Sequence, residues 1–329
     1  MLRDGKKEKE IAERIGVDVS TIYREKKRGQ YEHLNSDYTT EIRYSPDIAH
    51  KKYRENLKAK GPALKIRDDH ELANYIEKKI GTDGYSPEAV LGEIKRDGIK
   101  FKTMISKTTL YRYIDMGLFL TITNKELPVK GRKKKKNKKV RTQSRANAGD
   151  SIEKRPKEID DRKEFGHWEM DTVVGKRGES KNSLLVLTER KTRKEIIVKL
   201  AEHTMEQVCS ALDSLEEKWG SYFSRVFKTI TVDNGSEFSD CAGMEKSSIN
   251  DSNRTKVYYC HPYSSYERGS NENQNRLVRR KIPKGTNFDA RTAEEIQEVE
   301  DWINNYPRGM FGYESAQMRF DMEISAIGA

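Results

Sequence analysis

Three acidic residues far apart in the chain, Asp171, Asp233 and Glu272, are the groups best suited to chemistry. Asp171 falls inside a strand-like run at 166–174, and Glu169 shares its face because side chains along a strand alternate. Asp233 ends a second such run and is followed by Asn234-Gly235. An acid there projects from the carboxyl edge of a strand, where open α/β sheets bind ligands. Glu272 opens a late helical segment. Brought together, the carboxylates repel one another and some stay protonated unless cations neutralise them. Two Mg²⁺ ions about 3.5–4 Å apart would remove that conflict, one activating a water or 3′-hydroxyl and the other stabilising a leaving oxygen. Phosphodiester cleavage and strand transfer use such a pair.

The elements that must position these acids follow from periodicity. Strands are expected at 166–174, 183–188, 195–200, 227–233 and 256–260. A helix at 204–219 turns Met205, Val208, Leu212 and Leu215 inward, and further helices span about 270–280 and 293–305. This pattern predicts an α/β domain built on a mixed five-stranded sheet.

The chain of 329 residues carries a net charge of +11, unevenly spread. Residues 1–150 hold 36 basic and 22 acidic side chains, against 28 and 31 in residues 151–329. A basic front half suits a polyanion, and nucleic acid is the expected partner. No apolar run approaches the ~20 residues of a membrane-spanning helix. Cys209, Cys241 and Cys260 form no CxxC pair and no disulfide framework. The chain reads as soluble and intracellular.

Two helix-turn-helix units are expected in that basic half. In the first, 1–30, Ile11, Ala12 and Ile15 give one helix, Gly16-Val17-Asp18 the turn, and Ser20 caps a second helix ended by Gly29. Thr21, Arg24, Lys27 and Arg28 would face a major groove. A helical connector fills 31–67. In the second unit, 68–120, Ser86-Pro87-Glu88 starts a helix, and Ser106 opens another through 107–114 with Leu110, Tyr113 and Ile114 inward. Lys107, Thr108, Tyr111 and Arg112 would reach the duplex. Residues 121–160 are a basic linker, its Lys/Arg run at 130–145 too charged to fold alone. The catalytic domain is 161–313, and 314–329 is a tail.

Certain blocks carry a resemblance: Gly166-His167-Trp168-Glu169-Met170-Asp171, Val232-Asp233-Asn234-Gly235-Ser236-Glu237-Phe238, and the run from His261-Pro262-Tyr263 to Glu267-Arg268-Gly269-Ser270-Asn271-Glu272-Asn273. With Leu187–Arg193, Ile282-Pro283-Lys284-Gly285-Thr286 and Asn305-Tyr306-Pro307-Arg308, they resemble the transposases named after insertion sequence thirty, within the DDE transposase and retroviral integrase superfamily. The resemblance implies a ribonuclease-H-like core, two Mg²⁺ ions with Mn²⁺ as a substitute, and cleavage at terminal inverted repeats with joining to target DNA. It also implies a homo-oligomer on double-stranded DNA in the bacterial cytoplasm, associated with the nucleoid. Asp171, Asp233 and Glu272 then form the catalytic, metal-holding triad. The third acid has a rival: 38 residues separate Asp233 from Glu272, whereas Glu267 satisfies the shorter spacing usual in the family. Gly-x-x-Glu-Asn at a helix start favours Glu272, with 247–254 as a polar insertion. Gly309 departs from the basic residue expected after Pro-Arg.

Around the acids, Arg268, Arg276, Arg279, Arg280 and Lys281 are candidates to line the DNA path. Glu237 reads as solvated, Trp168 as core, and His167 and His261 as structural histidines. Rival readings are a non-catalytic regulator that keeps the fold, and a nuclease or prophage integrase that cuts without transposing.

Overall fold

The computed structural model describes residues 1, 5–59, 64–128, 149–262 and 264–328. The basic run at 130–145 lies outside them. Chain contacts divide the molecule into two units, 1–68 and 69–329.

In the first unit α1 (Glu8–Ile15) ends at Gly16, whose φ of 75° is the left-handed conformation glycine adopts without strain. The N-cap of α2 (Val19–Arg28) is Asp18 rather than Ser20: its carboxylate accepts the Ser20 N–H at 2.8 Å. Ile11 and Ala12 are buried beneath the pair. The connector is not wholly helical. An antiparallel hairpin, β1 (Gln30–Leu34) and β2 (Thr40–Tyr44), precedes α3 (Pro46–Ala59). A side chain at Gly29 would strike the Tyr44 ring and the Ser45 carbonyl, so glycine permits the close approach of helix end and hairpin.

The second unit begins with α4 (His70–Glu77), α5 (Pro87–Arg96) and α6 (Lys107–Asp115). Ser86 caps α5 through the Ala89 N–H and Ser106 caps α6 through the Thr109 N–H, as expected from their placement. Leu72, Ile76, Val90, Leu110, Tyr113 and Ile114 are buried among these helices.

The sheet that follows has the order β5-β4-β3-β6-β7. Strands β3 (His167–Val174), β4 (Ser183–Glu189) and β5 (Glu195–Leu200) run antiparallel in sequence, while β6 (Thr229–Val232) and β7 (Lys256–Tyr259) lie parallel to β3. It is the mixed five-stranded sheet anticipated above. Helices α7 (Met205–Trp219), α8 (Phe223–Val226), α9 (Cys241–Glu245), α10 (Gly269–Lys281), α11 (Ala293–Asn305) and α12 (Ala316–Ala326) complete it.

Alternation along β3 divides the core. Trp168 and Met170 enter a cluster with Leu212, Phe227 and Phe320, whereas Val173 on the opposite face packs with Val278 of α10, Ile282 just past its end and Ile303 of α11. Glu169 and Asp171 therefore point toward α10. Met205, expected inward, is 39% exposed at the start of α7.

Two boundaries change, and two expected modules are packed together. The stretch 149–160 is part of the fold rather than linker: Ser151 bridges Tyr259, Ile159 is buried, and buried Arg155 donates to the Thr231 hydroxyl at 2.9 Å. The expected tail forms α12, whose Phe320 lies 5.5 Å from Phe165 and 6.0 Å from Trp219, ring centre to ring centre. Ile324 and Ile327 pack against the same cluster. Finally, the second helical pair packs on the sheet domain. Trp302 donates from its indole to the Asp83 carbonyl at 2.6 Å, the Ser86 N–H donates to the Tyr306 hydroxyl at 3.1 Å, and Arg96 donates to the Tyr313 carbonyl at 2.7 Å.

Candidate active site

Strand β6 is parallel to β3, with Thr231 opposite Glu169, so the residues two positions later, Asp233 and Asp171, emerge side by side at the carboxyl edge. The turn after Asp233 is built by its neighbours. The Gly235 N–H donates to Asp233 Oδ1 at 2.9 Å, and the Asn234 amide donates to the Cys260 carbonyl at 2.7 Å.

One guanidinium spans both acids. Arg268 Nη1 lies 3.1 Å from Asp171 Oδ1 and Nη2 lies 2.7 Å from Asp233 Oδ2. Nη1 also donates to the Met170 carbonyl at 3.1 Å. The second oxygen of Asp171 accepts from the Asn275 amide of α10 at 2.8 Å. Burial raises the Asp171 carboxyl above the ordinary aspartate value; Arg268 opposes that shift and Asp233 adds to it. Burial works against the Arg268 charge, but the two aspartates hold it above the usual arginine value.

Glu272 lies on α10 near this pair in sequence, yet its carboxylate turns outward. It pairs with Arg276 at 2.6 Å, with side chains 53% and 67% exposed respectively. Among the described residues no group of three or more His, Cys, Asp or Glu is gathered closely enough to hold a metal ion. The expected triad is thus assembled as a pair, with the third acid on the adjoining helix. The pair itself fits a hard divalent ion: two oxygen-only donors already share one cation at contact distance.

Glu267 is otherwise engaged. Its Oε2 accepts the His261 N–H at 2.9 Å, and its Oε1 lies 2.8 Å from His261 Nδ1. These bonds to Glu267, with a further one to Glu153, raise the His261 pKa.

Two carboxylates have roles that their sequence context did not reveal. Glu169 is fully buried, held by Arg190 Nη1 at 2.9 Å and accepting the Asn271 N–H of α10 at 2.9 Å. Its place on the Asp171 face was the only signal. Glu237 is also buried rather than solvated. It accepts from the Thr172 hydroxyl at 2.7 Å and sits 3.0 Å from His203 Nε2. His167 is structural in its contacts, 2.8 Å from the Thr229 hydroxyl, and burial lowers its pKa against the pull of Glu164.

The basic candidates separate by environment. On α2, Thr21, Arg24 and Lys27 are exposed, while Arg28 is half-buried, paired with Glu25 and over the Tyr53 ring at 5.0 Å. On α6, Lys107, Thr108 and Arg112 are exposed, with Lys107 paired to Glu88. On α10 only Arg276 is exposed among the arginines named. Arg279 donates to the Val174 carbonyl at 2.8 Å, and Arg280 binds the Gly84 carbonyl and lies 5.1 Å over Trp302.

The family model described as "Integrase core domain" matches residues 161–265, which contain Asp171 and Asp233. A transposase for insertion sequence element IS4351 of Bacteroides fragilis is 32% identical over 99% of this chain and 93% of its own length. A probable transposase for insertion-like sequence element IS1161 of Streptococcus salivarius is 39% identical over 67% of this chain, which spans only 60% of that relative. The transposase InsI for IS30A of Escherichia coli is 31% identical over 78% of this chain and 66% of its own length. These relatives place the chain in the IS30 family of insertion-sequence transposases, the DDE-type polynucleotidyl transferases of DNA transposition and recombination.

Proposed function

We propose that this protein binds the terminal inverted repeats of its element, cuts the DNA strand there and joins it to target DNA, with Asp171, Asp233 and Glu272 as the catalytic acids and Mg²⁺ as cofactor. The observation that carries the reading is the shared guanidinium of Arg268. A single cation reaches Asp171 at 3.1 Å and Asp233 at 2.7 Å, so both carboxylates reach one divalent ion with little movement. When bound, Mg²⁺ (or Mn²⁺) supplies Lewis acidity to a phosphoryl oxygen and lowers the pKa of an attacking hydroxyl.

The chain's own residues supply position. Asn275 orients Asp171, Gly235 orients Asp233, and Glu169 ties the first turn of α10 to the same strand. Glu272 is the third acid in this reading, because the carboxylate of Glu267 is spent on His261. The longer spacing is taken up before β7, in 247–254, a loop closed on buried Glu216 by the Ser247 hydroxyl and by Arg254. Thr21, Arg24, Lys27 and Arg28, with Lys107, Thr108 and Arg112, bind the repeat, and Arg276 contacts the strand being cut. The working form is a homo-oligomer on DNA, acting in the bacterial cytoplasm at the nucleoid. Among the described residues no helix is long and apolar enough to cross a membrane.

The test is a Mg²⁺-dependent assay on DNA bearing the element's ends. Joined products with the parent and none with Asp233→Asn support the reading. Cutting without joining would make the protein a nuclease; repeat binding with no cutting would make it a regulator.

A further inference from the structure

The catalytic pair holds a cation of its own, and we propose that Arg268 is an exchangeable counter-ion, which must leave the space between Asp171 and Asp233 before a divalent metal enters. This rests on reading those aspartates as metal-holding acids. Three features bear on its release. First, it bridges both acids and so covers the oxygens that a metal would use, Asp171 Oδ1 and Asp233 Oδ2. Second, its buried Nε has no hydrogen-bond partner among the described residues, a gap it shares with Arg28, Arg162, Arg190 and Arg308, none of which bridges Asp171 and Asp233. Buried Arg254, by contrast, uses Nε, Nη1 and Nη2 on Met244, Asp213, Glu216 and Gly243. A guanidinium left partly unsatisfied is held by charge more than by a fitted socket. Third, Glu272 points away while Arg268 is in. Its partner Arg276 is a solvent-exposed pair that water screens, so the acid is free to turn once the site's charge changes.

The exchange neutralises two crowded carboxylates when no metal is present and sets a competition when one arrives. If the arginine-out state is populated at about 1–10%, apparent metal affinity falls to about that fraction of its intrinsic value, a loss of about 10–100-fold. Removing the guanidinium removes the reduction.

Isothermal titration of the full-length protein with Mn²⁺ alone tests this. Arg268→Gln should bind Mn²⁺ about 10–100-fold more tightly than the parent; equal or weaker binding would overturn the proposal. Because Arg268→Gln leaves two crowded carboxylates without their counter-ion, a second measurement uses the parent itself. Phenylglyoxal should modify Arg268 several-fold faster when Mn²⁺ is saturating, with buried Arg254 as the internal control in the same peptide map. An unchanged rate at Arg268 also overturns it. Failure of the underlying assignment looks different: the parent and Arg268→Gln then bind no Mn²⁺, or binding survives Asp171→Asn with Asp233→Asn.

Discussion

Glu169 accepts the backbone N–H of Asn271 at 2.9 Å, so the strand that carries Asp171 grips the first turn of the helix that carries Glu272. The same carboxylate neutralises Arg190, whose side chain is 4% exposed. Glu169→Ala leaves that arginine only the more exposed Asp160, at 3.4 Å, and frees the helix start. It should cost about 3–5 kcal/mol in urea unfolding. A loss under about 1 kcal/mol would mean that α10 is anchored elsewhere.

The two candidate third acids make opposite predictions. Glu272→Gln neutralises an exposed carboxylate and should leave the melting temperature unchanged while cleavage falls about 100-fold or more. Glu267→Gln should keep cleavage within about tenfold of the parent. The reverse ranking in a strand-cleavage assay would reassign the acid.

His261 offers a pH test. Hydrogen bonds to Glu267 and Glu153 raise its folded-state pKa, so its stabilising contribution is fully present below the unfolded value of about 6.5 and is lost as pH rises through the folded value. The difference in unfolding midpoint between the parent and Glu267→Gln should therefore narrow with increasing pH. Direct titration of the His261 ring by NMR should show the raised value in the parent and a lower one in the variant.

Phe320 closes the aromatic cluster formed with Phe165, Trp168 and Trp219. Phe320→Ala should cost about 3–5 kcal/mol, read from thermal or urea unfolding. An exposed α12 would give a near-neutral result.

On the proposed DNA-binding faces, Arg24→Ala and Arg112→Ala should each weaken repeat binding and lower the slope of log affinity against log salt by about one, if each contacts one phosphate. An unchanged slope by fluorescence anisotropy would remove that residue from the interface.

The sheet was legible because β3 alternates, with Trp168 and Met170 on one side and Glu169, Asp171 and Val173 on the other, and because β4 carries the continuous apolar run Leu184–Leu187. Caps such as Ser86-Pro87 and Ser106 were legible because their chemistry is local. What stayed hidden depended on distant partners. Leu34, Tyr38 and Ile42 of the hairpin are exposed, so β1 and β2 lack the buried stripe that betrays a strand. In α12 few residues are buried beyond Ala316 and Phe320, which leaves little periodicity to detect. No local pattern reveals that Arg268 lies between two aspartates 97 and 35 positions before it in the chain, or that Glu237 is shielded by Thr172 and His203.

Helix α10, 13 residues and about 20 Å long, starts beside the acids and ends with Arg280 and Lys281 against the Asp83–Gly84 carbonyls just before α5. Helices α4–α6 are consequently not a cassette that can be grafted from one relative to another on its own. A chimaera that exchanges them must also carry the matching Trp302, Tyr306 and Tyr313, or the seam will open beneath the very helix on which Glu272 rides.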